Sequence, residues 1–122
     1  MEAERKIGTV TVAPEVLLTI VRQTALSVEG VMRLYGKWPE NIGQFLGIQT
    51  AAEGIAVHVA EGKLIVDVHI VVDPDAQMVQ LGHTLQDAIC RSIEDIVGLD
   101  IQAINVHIED VDTEPEVEQE VA

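Results

Sequence analysis

Ile55-Ala56-Val57-His58-Val59, the link Glu61-Gly62-Lys63, and Leu64-Ile65-Val66-Asp67-Val68-His69-Ile70-Val71-Val72 read as the two strands of a β-hairpin. Side chains alternate faces along a strand, so Ile55, Val57 and Val59 lie together, opposite Ala56 and His58. Leu64, Val66, Val68, Ile70 and Val72 form a second row, opposite Ile65, Asp67, His69 and Val71. The link is short and contains Gly, as a tight hairpin connection requires.

On the C-terminal side, Asp73-Pro74 offers an N-cap followed by proline at the first helical position. Met78, Leu81, Leu85, Ile89, Ile93 and Ile96 then mark the apolar stripe of a helix that Gly98 ends. Ile104, Val106 and Ile108 make one face of a last strand, opposite Ala103, Asn105 and His107. From Glu109 onward acidic residues alternate with Val, Thr, Pro and Gln, with no basic side chain. Such a tail has little to bury against its ordering entropy and is expected to be disordered.

On the N-terminal side, Ile7-Gly8-Thr9-Val10-Thr11-Val12 has the alternation of a half-buried strand. Pro14 opens a helix over about residues 14–29, with Glu15 near the positive end of its dipole. Its stripe is Val16, Ile20, Thr24 and Val28, widened by Leu17 and Val21, and Gly30 is the stop. Residues 31–53 contain Gly36, Pro39, Gly43 and Gly47, which argues against long regular structure, although Ile42, Phe45 and Leu46 fit one amphipathic turn.

The resulting order is β-α-β-β-α-β. It predicts an α+β fold: a four-stranded, mostly antiparallel sheet with two helices on one face, compatible with a ferredoxin-like topology. A single domain over residues 1–111 and an acidic tail over 112–122 account for all 122 residues. The face without helices is expected to carry Thr9, Thr11, Ala56, His58, Asp67, His69, Asn105 and His107, with Ile65 and Val71.

Charge narrows the partners. With 21 acidic and 7 basic side chains the net charge is −14, and the Lys and Arg that would replace counterions around phosphates are lacking. Nucleic acid and direct docking on anionic lipid are disfavoured alike. No apolar run approaches the roughly 20 residues needed to span a bilayer. Met1-Glu2-Ala3-Glu4-Arg5-Lys6 is charged and leads into no signal-type stretch, and Cys90 is a lone cysteine. These features suit a cytoplasmic protein.

Reactive chemistry finds little footing. His58, His69 and His107 fall opposite the apolar rows of their strands, and with Asp67 they would make a metal site if the strands were neighbours. The competing expectation is that alternating strands simply turn polar residues outward. His83 reads as a helix-flank residue and Cys90 as a small structural thiol beside the apolar stripe. Neither a phosphate-cradling loop nor a dinucleotide fingerprint can be written. No catalytic or cofactor residue is assigned.

Tyr35, Trp38 and Phe45, the only Tyr, Trp and Phe of the chain, cluster in the 31–53 connection. Aromatics of this kind anchor interfaces, which makes these three the candidates for self-association or partner docking; the equal alternative is that they cap one end of the sheet within the same chain.

Several stretches in order resemble the alkaline shock protein family, the envelope stress response proteins. They are Gly8-Thr9-Val10-Thr11-Val12-Ala13-Pro14-Glu15-Val16, Val28-Glu29-Gly30-Val31 and Glu53-Gly54-Ile55-Ala56-Val57. Val66-Asp67-Val68-His69-Ile70-Val71-Val72, Leu85-Gln86, Val97-Gly98-Leu99 and Ile104-Asn105-Val106-His107-Ile108 complete the set. Asp73-Pro74 stands where the family usually has Tyr-Gly. The resemblance implies a non-enzymatic cytoplasmic protein of cell-envelope homeostasis that forms homo-oligomers and lies near the membrane through a membrane-anchored protein.

Overall fold

The computed structural model describes residues 2–36 and 50–113. In chain order the elements are β1 (Glu2–Arg5), β2 (Gly8–Thr11), α1 (Pro14–Ser27), β3 (Val31–Leu34) and β4 (Thr50–Ala52). They continue with β5 (Ile55–Ala60), β6 (Lys63–Val72), α2 (Met78–Ser92), a π-helical turn (Ile93–Val97) and β7 (Ile101–Val111). The fold is α+β, with two helices over one face of a mostly antiparallel sheet.

The β5–β6 hairpin forms as its alternation dictates. Ala60 pairs with Lys63 across a two-residue link, and Glu61 and Gly62 both have positive φ, 55° and 81°. Such a mirror-image turn matches the right-handed twist of the flanking strands. β6 is the spine of the sheet, and both its edges are filled. Along one, β7 runs parallel from Leu64↔Ile101 to Val72↔Val111. Along the other, β5 pairs with residues 63–68, and β3 takes over at 70–72, both antiparallel. β4 pairs outside β5. The five strands are therefore four abreast, with β3 and β5 end to end on one edge.

The aliphatic rows meet the helices as their period demands. Ile55, Val57, Leu64, Val66, Val68, Ile70 and Val72 are buried under Leu17, Val21 and Ala25 of α1 and Leu81, Leu85 and Ile89 of α2. Ile104 joins them, with Val106 and Ile108 packed at the margin. A Thr24 Oγ1 to Ser92 Oγ hydrogen bond of 3.0 Å ties the two helices. Within α1 the buried line is Leu17, Val21 and Ala25, one position on from the expected stripe, and Val16 is exposed.

Other details differ from the sequence reading. The Thr-Val strand lies outside the main sheet. It pairs with β1 in a separate two-stranded hairpin, so Thr9 and Thr11 are absent from the face without helices, where Ala56 and Val71 are buried. The charge-rich residues 2–5 carry no strand signal, which hides this partner. β3 instead occupies the edge of β6, and Met32-Arg33 obscures its alternation. Asp73 does not cap α2. Its Oδ1 accepts the Asp75 N–H at 2.8 Å and its carbonyl accepts the Ala76 N–H at 3.0 Å. This closes a turn over Pro74, and the helix starts four residues later.

Gly98 does end the helical run, in the left-handed conformation, but through a π turn in which its N–H donates to the Ile93 carbonyl at 2.9 Å. The wider turn keeps Ile93 fully buried and leaves Ile96 71 % exposed. Residues 109–111 belong to β7. Asp112 is also tied down, donating its N–H to the Val72 carbonyl at 2.9 Å and facing Arg33 at 3.4 Å. The remainder of the expected tail, from 114, lies outside the described residues.

Candidate functional site

The sheet face away from the helices collects the polar side chains of β6 and β7. Parallel pairing sets Asp67 beside Asn105 and His69 beside His107. The two imidazoles stack with centroids 4.4 Å apart and planes within 13°. Asp67 Oδ1 accepts from Asn105 Nδ2 at 3.0 Å and lies 3.3 Å from His107 Nε2. At the other end of the stack, His69 Nδ1 lies 2.6 Å from Glu109 Oε2.

Glu109 reaches His69 because of a register shift. Ile70 pairs with Ile108, but Val71 pairs with Asp110, which leaves Glu109 as the extra residue of a β-bulge. Bulges re-aim side chains in this way. The result is a carboxylate–imidazole–imidazole–carboxylate row with an amide at one end. Its members are partly exposed and bond to one another, as strand-surface polar groups do.

Of the three strand histidines, the structure brings together His69 and His107. His58 pairs with Ile65, two residues from Asp67 and four from His69 along β6, and its Nδ1 is buried with no hydrogen-bond partner. Among the described residues, no three His, Cys, Asp or Glu side chains are arranged to hold a metal ion. The sequence reading missed Glu109, since an acid at the end of an alternating run reads as a strand terminus and the bulge leaves no mark in the period.

The other candidates are placed as follows. Tyr35 is half-buried at the end of β3, and its N–H donates to the His69 carbonyl at 2.8 Å. Trp38 and Phe45 lie outside the described residues. His83 is exposed on α2, with Nδ1 3.2 Å from Gln86 Oε1. Burial first, then the carboxylates of Glu94, Asp87 and Asp95, push the Cys90 thiol above its ordinary value, the reverse of what a nucleophilic thiolate needs. An open groove of about 500 Å³ between the α1–β3 and β6–α2 connections is lined by Glu29, Asp73, Asp75, Gln77 and Gln80. No helix among the described residues is long and apolar enough to cross a membrane.

Two helices laid on one face of a mostly antiparallel sheet, with the polar side chains of β6 and β7 on the other, define a small ferredoxin-like α+β domain. The same layers occur in two variant structures of the MamM CTD. One has a TM-score of 0.55 at 18 % identity, covering 80 % of this chain and 98 % of that one. The other has 0.54 at 17 %, covering 79 % and 93 %. At such identity the likeness shows the fold. The chain belongs to the alkaline shock protein 23 family, described by its cell envelope-related function, whose model matches residues 2–113.

Two relatives in Bacillus subtilis (strain 168) are uncharacterized proteins. YqhY is 28 % identical over 102 residues, covering 84 % of this chain and 76 % of its own. YloU is 18 % identical over 113 residues, covering 91 % and 94 %.

Proposed function

We propose that this chain is a non-enzymatic, self-associating interaction module of cell-envelope maintenance. It works in the cytoplasm and reaches the membrane through an anchored protein partner. The observation that carries this reading is the state of its potentially reactive groups. The imidazoles and carboxylates of β6 and β7 are engaged with one another, and burial, with the neighbouring acids, keeps Cys90 a thiol. The family's cell envelope-related description supplies the setting. An acidic surface binds anionic lipid poorly, which favours a protein tether.

Light scattering over a concentration series tests the self-association, with growth in mass expected. Tyr35→Ala and Trp38→Ala are expected to reduce it without unfolding the chain. A strict monomer at high concentration would end this reading.

The stacked His69–His107 pair favours one competing reading, a divalent-ion or small-ligand site on the same face. Zinc or nickel would then raise the thermal midpoint of the wild type but not of His69→Ala. No shift with either ion would eliminate that alternative.

A further inference from the structure

The geometry points to the outer edge of β7, together with the flank of α2 above it, as the surface on which a second copy of this chain docks strand to strand. This rests on the self-association proposed above and gives it a location.

The argument starts from backbone valence. His69 directs both its main-chain groups toward the β3/β5 edge, accepting from Tyr35 and donating to Gly54. Those groups alternate edges along a strand, so Val66, Val68 and Ile70 face β7. Their register partners are Ile104, Val106 and Ile108. In a parallel ladder the residues flanking each partner make the bonds, so these three direct their own N–H and C=O outward. Gln86 agrees with this direction, since its Nε2 donates to the Ile104 carbonyl at 2.9 Å from the edge side. Among the described residues no strand lies beyond Val106 and Ile108. A long edge without lysine or proline is a template for another strand.

Charge selects the occupant. Residues 101–108 and 76–86 contain no Asp, Glu, Lys or Arg in a chain of net charge −14. Gln86 brings these two runs together. Two like-charged copies repel wherever their acidic surfaces meet, and this neutral strip is where their backbones can approach. A basic partner would gain nothing from it.

The flank of α2 agrees. Val79, Gly82, His83 and Gln86 recur at helical spacing on one side, and Val79 is 76 % exposed. Glycine inside a helix is unfavourable relative to alanine. Yet among the described residues a Cβ on Gly82 would meet nothing within 4 Å, so packing against them does not call for it. Antiparallel pairing about a two-fold at Val106 sets Ile104 against Ile108 of the second copy. It also brings the two α2 flanks side by side, where the missing side chain leaves room.

Sedimentation of the full chain over a concentration series, with amide exchange at each point, tests this. The wild type is expected to dimerise, with Val106 and Ile108 amides gaining protection as concentration rises. Gly82→Lys is expected to weaken dimerisation by about tenfold or more while leaving the thermal midpoint of the monomer unchanged or raised. Val106→Pro, which removes an outward N–H, is expected to act in the same direction. A wild-type oligomer unaffected by either substitution would overturn the edge contact and leave self-association standing. A strict monomer would overturn both. Protection already complete at a concentration where sedimentation shows the monomer would mean that the edge is covered within one chain, and would overturn the edge contact alone.

Discussion

Gly54 stands where three backbones meet, at the seam between β3 and β5. Its φ is +75°, and an added Cβ would lie 2.9 Å from the Tyr35 carbonyl oxygen and 3.0 Å from that of His69. Neither obstacle is a flexible side-chain end. Gly54→Ala is therefore expected to cost about 2–3 kcal/mol, measured as a lower urea midpoint at an unchanged slope. At Cys90 the prediction concerns pH. Because burial and neighbouring acids raise its pKa above the ordinary 9.0, alkylation of the folded chain at neutral pH should be slower than that of the unfolded chain. The contribution to stability is present below the unfolded pKa and is lost as pH rises through the folded one, so alkaline destabilisation should be smaller in Cys90→Ala. Alternation along the chain put His69 and His107 on the right face. That they would stack while His58 stood apart depended on which strands pair and in what register, which no periodicity records.

At the scale of elements, the π turn after α2 separates two isoleucines that the helical stripe made equivalent. Ile93→Ala is expected to cost about 2–5 kcal/mol, because it leaves a cavity under a fully buried side chain. Ile96→Ala should stay within about 0.5 kcal/mol. Denaturation of both variants under one condition checks the contrast. In the β5–β6 link, Glu61 holds a left-handed conformation that its side chain disfavours. Glu61→Asn is expected to gain about 0.5–1 kcal/mol, since Asn-Gly suits this turn. The hairpin, both helices and β7 were legible because period and punctuation agree there. β1 and β3 were not, since charge in one and a broken alternation in the other concealed strands that exist only through their partners. Asp73-Pro74 misled for a physical reason as well: an Asx turn competes for the same side chain as a helix cap.

For the molecule as a whole, a net charge of −14 on 122 residues means that folding compresses like charges. Raising salt from about 0.01 M to about 0.1 M shortens the screening length from about 30 Å to about 10 Å. The thermal midpoint should therefore rise over this range, and self-association should strengthen with it. A midpoint insensitive to salt would mean that the acids are already spaced widely enough not to interact.

β6 has one partner nearby in sequence and two that are remote, with 31–34 and 101–111 both returning to it. Closing those long loops costs entropy before any contact repays it. The order of assembly is thereby constrained: the β5–β6 ribbon can nucleate alone, and the distant segments condense onto it afterwards. Substitutions in the Glu61-Gly62 link should then register chiefly in the refolding rate, and those along β7 chiefly in the rate at which the native state opens.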